Sequence, residues 1–137
     1  MSGETNLARL LQSMTPHLNP GQYVFCCVPA EHEYSALQPV ASLGEAEGLS
    51  LVLSRDVADA HGLSYNYVAA WITLQVHSSL AAVGLTASFS AALAQAGVSC
   101  NVVAGFHHDH IFVPIERAER ALSTLRALSA AALPEPV

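Results

Sequence analysis

Residues 71–115 read WITLQVHSSLAAVGLTASFSAALAQAGVSCNVVAGFHHDHIFVPI, and the order of patterns inside this stretch decides the fold. Trp71 to Val76 is apolar and rich in β-branched and aromatic side chains, which predicts a strand. Ser78 to Thr86 is small and polar and contains Gly84, the composition of a turn. From Leu85 to Ala96 the apolar positions Leu85, Phe89, Ala92, Leu93 and Ala96 recur at helical spacing, and Gly97 closes the run. Val98 to Val103 and His110 to Pro114 are two further strands separated by a short polar turn. Strand, helix, strand, strand in that order is the opening of a ferredoxin-like β-α-β-β-α-β unit, an α+β fold with an antiparallel sheet.

Working outward, Leu7, Leu10, Leu11 and Met14 mark one face of a short N-terminal helix. The segment Pro16 to Gly21 reads as its terminator, and Tyr23-Val24-Phe25-Cys26-Cys27-Val28 as a buried strand. Pro29 to Gly48 is a polar connection, part of which can pair as an extra strand. Leu49 to Leu53 is a strand, and Arg55 to His61 a short helix, with Ser54 as N-cap and Gly62 just past its end. After Ile115, the positions Ala118, Ala121, Leu122, Leu125 and Leu128 mark a final helix, and the Ala/Pro-rich tail reads as frayed. The segment LSLVLSRDVADAHGL echoes HIFVPIERAERALSTL: apolar strand, charged turn, short helix. The chain is therefore expected to be a degenerate duplication of two intertwined units sharing strands. The nominal boundaries are 1–66, 67–129 and a flexible tail 130–137.

Composition narrows the function. Hydrophobic residues make up 52% of the 137 positions and charged residues 12%, so a packed globule is expected rather than a disordered chain. Five Lys and Arg against eleven Asp and Glu leave a net charge of −6, without the cationic face that a nucleic-acid backbone requires. No basic amphipathic segment is present to hold an anionic membrane. Residues 61–108 carry no Asp, Glu, Lys or Arg, yet His61, Asn66, Gln75, His77, Gln95 and Asn101 interrupt the run, so it reads as soluble rather than membrane-spanning. The start, MSGETNLARLLQSM, lacks a basic n-region and a long apolar core, which makes the cytoplasm the expected location. The three cysteines have no framework spacing and read as buried free thiols, with Cys26 and Cys27 on opposite faces of one strand.

Three stretches, EAEGLSLVLSR, WITLQVHSSLAAVGLTASFSAALAQAGVSCNVVAG and HHDHIFVPIERAERAL, together with YVFCCV, resemble the small bacterial proteins built from paired ACT domains. The resemblance covers nearly the whole chain. It implies β-α-β-β-α-β units that assemble strand to strand into wider sheets, as in a homo-oligomer. It also implies a regulatory role, with a small molecule, usually an amino acid, bound between ACT units and left chemically unchanged. Carried onto this sequence, it points to the turn and helix start at Ser79, Val83, Gly84, Leu85 and Thr86, and to the strand start at Asn101 and Val102. The ACT turn often carries an acidic residue followed by Pro-Gly; here it is SSLAAVG, without that acidic anchor.

The chemistry of those residues admits more than one use. Gly84 feeding a helix exposes backbone N–H groups near Leu85 and Thr86 that suit a carboxylate, with the Ser79 or Thr86 hydroxyl adding a hydrogen bond. The same pattern also serves as a plain tight turn. Asn101 can read a ligand's polar end or satisfy a strand terminus. Asp109 borders the uncharged run and is a candidate partner for an α-amino group, or a turn residue paired with a histidine. His107-His108-Asp109-His110 is either a polar hairpin or two metal ligands in search of a third, with His77 or His32 as the remaining candidates. No G-x-S-x-G elbow, G-x-G-x-x-G fingerprint or phosphate loop is present, so neither catalysis nor a cofactor is expected. The alternatives to ligand sensing are a ligand-free module assembling through sheet edges and a metal-dependent enzyme using the HHDH cluster.

Overall fold

The computed structural model describes residues 6–76 and 78–132. In chain order the elements are α1 (Leu7–Ser13), β1 (Thr15–Leu18), β2 (Tyr23–Val28), β3 (Ala41–Glu45), β4 (Gly48–Ser54), α2 (Arg55–Ala60), β5 (Val68–Gln75), α3 (Leu85–Gln95), β6 (Asn101–Ala104), β7 (Asp109–Pro114) and α4 (Ala118–Ala131), with 3-10 turns at Ser35–Leu37 and Ile115–Arg117. They form two compact units: an inserted unit, Pro20–Ala70, and a terminal unit made of the residues up to Asn19 together with those from Trp71 onward.

In the inserted unit the strands lie in the order β3-β4-β2-β5. All its pairings are antiparallel: Val24 opposes Leu53, Leu43 opposes Ser50, and Tyr23 opposes Ala69 at the start of β5. Numbered within the unit this is 2-3-1-4, the ferredoxin-like order. Alternation along β2 sends Val24, Cys26 and Val28 into a core with Leu51, Leu53, Leu37 and Ala58. Cys27 falls on the other face and is exposed. The first helix of the unit is reduced to the 3-10 turn, whose Leu37 is its one buried residue. The extra strand expected within Pro29–Gly48 is β3. Arg55, at the start of α2, donates to Gln22 and to the Tyr65 hydroxyl, which donates in turn to Asp59. These bonds tie the helix to the flanking turns.

The terminal unit has the order β1-β5-β7-β6, which is 4-1-3-2 within the unit. Its fourth strand comes from the beginning of the chain. The Pro16 to Gly21 segment is therefore not simply a terminator, because Thr15–Leu18 pairs antiparallel with β5, Pro16 opposing Leu74. A proline is tolerated in such a short strand at a sheet edge, where the missing N–H costs little. Leu10 and Met14 are buried in this unit with Phe89 and Leu93 of α3 and with Leu122 and Leu125 of α4. The compact units consequently do not follow a cut at residue 66: α1 and β1 pack with the C-terminal half. The boundary between the units falls within β5, with Val68 to Ala70 in the inserted unit and Trp71 to Gln75 in the terminal one.

Several boundaries differ from the sequence pattern; β5 already begins at Val68 rather than Trp71. Strand β6 begins at Asn101 rather than Val98, because the Val98 N–H turns back to the Leu93 carbonyl (2.9 Å) and caps α3. Helix α4 runs on through Ala131 instead of fraying at Ser129. The Ser129 hydroxyl donates to the Gln12 carbonyl (3.1 Å) and the Gln12 amide to the Ala132 carbonyl (3.2 Å), pinning this end to α1. The rest of the expected tail, residues 133–137, lies outside the described residues. Among the described residues, no helix is long and apolar enough to cross a membrane.

Candidate functional site

The turn between β5 and α3 is built from its own side chains. The Ser79 hydroxyl accepts from the Ala81 N–H (3.1 Å), and the Ser79 carbonyl accepts from the Ala82 N–H (2.9 Å). Gly84 is the N-cap of α3 at φ +102°, left-handed geometry that favours glycine, and it supplies no side-chain cap. In an α-helix the first N–H groups, here Leu85, Thr86 and Ala87, have no carbonyl within the helix, so this end carries donors and partial positive charge. The absence of a Gly84 side chain also has a packing use. A Cβ there would lie 3.1 Å from Leu7 Cδ2, so α1 fills the space beside the glycine.

Topology sorts the eight residues singled out in the sequence. Trp71 meets both His110 and Phe112, while Thr73 reaches His110, so β7 runs antiparallel to β5. Since β6 is antiparallel to β7, it runs parallel to β5. The turn after β5 therefore shares one end of the sheet with the β6–β7 hairpin. Ser79, Val83, Gly84, Leu85, Thr86 and Asp109 gather there. Asn101 starts β6 at the other end, with Val102 next to it; within one unit they do not meet the turn. The shared end is apolar at its surface, with Leu80 70%, Val83 84% and Phe106 73% exposed.

Asp109 is buried, and alternation puts its carboxyl on the face of β7 opposite to His110, with Ile111 and Val113. Burial pushes its pKa above the ordinary carboxylate value, opposed by the nearby His110. Cys100 is half-buried, and desolvation pushes its thiol up to about 11, far from the thiolate a nucleophile needs. The Ser79 hydroxyl is engaged in its turn. Among the described residues no three His, Cys, Asp or Glu side chains converge to hold a metal; His77 lies outside them.

A polar cluster that the sequence did not announce lies on the other face of the same sheet. The Trp71 indole N–H donates to His110 Nδ1 (3.0 Å), and Thr73 Oγ1 stands 3.1 Å from the same nitrogen. The Asn19 amide donates to Thr73 Oγ1 (2.9 Å) and to the Trp71 carbonyl (3.2 Å). Burial and the neighbouring His108 lower the His110 pKa, and Asp109 opposes them. In the sequence the signal is the alternation Trp71-x-Thr73 facing His110-x-Phe112, with Asn19 hidden in a turn.

The profile of the ACT domain matches residues 2–70, and a second ACT-domain profile matches residues 67–127. The chain belongs to the ACT-domain family. Two ACT units in tandem account for the two ferredoxin-like strand orders. A crystal structure of a Vibrio cholerae protein of unknown function, described as a possible transport protein, is similar over 90% of this chain and 95% of that one, at 49% identity and a TM-score of 0.82. Escherichia coli aspartokinase III, solved with aspartate and ADP, shares the fold over 82% of this chain and 32% of its own, at 12% identity and a TM-score of 0.62. The ligand-free regulatory subunit of aspartate kinase from Thermus thermophilus does so over 85% and 98%, at 11% identity and a TM-score of 0.57. No curated protein matches the sequence. In this ACT protein the turn before α3 is thus a helix start with free donor geometry, without a charged side chain between Ser78 and Thr86.

Proposed function

We propose that this is a cytoplasmic regulatory protein that binds a small ligand, an amino acid, between ACT units of a homo-oligomer and does not convert it. The observation that carries the reading is ACT-domain membership across both halves, combined with a helix start at Gly84 whose N–H groups suit a carboxylate. Asn101 and Val102 lie at the opposite end of the unit from the turn. For both to touch one ligand, two copies must bring them together, Asn101 of one beside the turn of the other. The uncharged β6 strand, Asn101–Ala104, suits such edge pairing, because it carries none of the charges that commonly block it. The similarity to a regulatory subunit of aspartate kinase supports regulation over catalysis.

A thermal-shift screen against the twenty common amino acids tests this. A ligand at about 100 times its Kd stabilises by about 2.7 kcal/mol, which raises Tm by roughly 5 °C or more. We expect at least one amino acid to do so at millimolar concentration. If none does, the protein is a ligand-free assembly module and the sensing reading fails.

A further inference from the structure

We propose that His110 is a proton-operated latch on Trp71, holding the indole when neutral and releasing it when protonated. An indole N–H is only a donor, so the 3.0 Å contact from Trp71 Nε1 requires His110 Nδ1 to be an acceptor. A neutral His110 must then carry its proton on Nε2. Protonation places a second N–H on Nδ1, facing the indole N–H, and two donors cannot bond to each other.

Thr73 makes the change a switch rather than a simple loss. Its hydroxyl oxygen stands 3.1 Å from Nδ1 and already accepts from Asn19, with a second lone pair available. The protonated ring keeps a partner by donating to Thr73, while Trp71 loses the one that Nδ1 gave it. Beside the backbone ladder between β5 and β7, the side-chain bond to His110 Nδ1 comes from Trp71 in the neutral state and goes to Thr73 in the charged one. The groups that bear on this titration are named by the topology. His108 and Asp109 lie on the adjoining hairpin and strand, and His17 of β1 opposes Thr73 in register and so shares the face. Strand β6 offers Val103 opposite His110, which does not titrate. Burial and His108 favour the neutral ring, so the transition falls below the ordinary histidine value of about 6.5. The unfolded chain then binds this proton more readily than the folded one, and stability declines as pH drops through that value.

Trp71 is the only tryptophan, so the full-length protein reports on its own latch. Intrinsic fluorescence followed from pH 8 to pH 5 is expected to show one sigmoidal change with a midpoint below about 6.5, while far-UV circular dichroism stays constant. His110→Asn keeps an acceptor oxygen near the Nδ1 position but cannot titrate, and its profile is expected to be flat. His17→Asn keeps the transition, and His108→Asn moves its midpoint upward. NMR on the unmodified protein gives an independent reading should His110→Asn fail to fold. At pH 8 the His110 ring is expected as the Nε2–H tautomer, and the indole N–H resonance is expected to move through the same midpoint. An Nδ1–H tautomer, a flat profile for the unmodified protein, a transition that persists in His110→Asn, or loss of circular dichroism with the same midpoint overturns the proposal. The latch does not depend on the ligand reading, and neither test stands in for the other.

Discussion

Expressed alone, residues 67–137 are expected to show no cooperative thermal unfolding, although an ACT-domain profile matches 67–127 within them. The fragment lacks β1, so four ladder positions of β5, Ile72 to Gln75, lose their partners Leu18 to Thr15. It also lacks Leu10 and Met14, both buried in the terminal unit. Each such side chain contributes about 1.5–3 kcal/mol on burial, against a total stability of only about 5–15 kcal/mol for a whole domain. A fragment of this size, stripped of an edge strand and a covering helix, falls below what one small core sustains. Attaching residues 6–19 after residue 132 through a flexible Gly/Ser linker is expected to restore cooperative melting, because Gln12 already bonds to the Ala132 carbonyl. Cooperative melting of the unaided fragment near the full-length Tm would show that the N-terminal segment is dispensable.

Gly48→Ala is expected to be the most damaging single substitution in the inserted unit. Gly48 sits at φ +149°, and a Cβ there would stand 2.6 Å from the Val28 carbonyl oxygen and 3.0 Å from Cys27 Sγ. The first of these is backbone of the paired strand β2, so relief requires β2 and β4 to separate at Val28 and Leu49, the end of their ladder. Backbone strain alone is of order 1–3 kcal/mol, and with the steric conflict the loss is about 3 kcal/mol or more, roughly 10 °C in Tm. A Cβ added at Gly44, on the same β3–β4 hairpin, would meet nothing within 4 Å. Gly44→Ala is expected to leave Tm within about 2 °C, consistent with a surface change of under about 0.5 kcal/mol. Equal effects at the two positions in chemical or thermal denaturation would contradict the close approach at Gly48.

The parts of the fold legible in the sequence are those governed by local period. Tyr23–Val28, Gly48–Ser54 and the run from β5 through β7 carry their strand or helix signal in consecutive residues. Strand β1 does not, because its four residues include Pro16 and owe their extension to pairing with residues far along the chain. The same reason hides the true grouping of α1, whose apolar face says that it packs but not against what. At the site, Gly84 and its hydroxyl-rich turn were readable because turn chemistry is local. That Asn101 lies at the opposite end of the unit follows from strand direction, and the Asn19-Thr73-His110-Trp71 cluster from alternation and register combined. Neither is visible until the strands are ordered. The HHDH run attracts attention in the sequence for all its histidines, yet the structure singles out His110 for its partners on β5.

The claim that an ACT-type ligand site lies at the turn before α3 is most directly tested by amide chemical-shift mapping. The nitrogen-15-labelled protein is titrated with each common amino acid in turn. At least one is expected to move the resonances of Ser79 through Thr86 together with those of Asn101 and Val102, in an oligomer rather than a monomer. Absence of any shift at millimolar concentration, or shifts confined to residues remote from both segments, would contradict it.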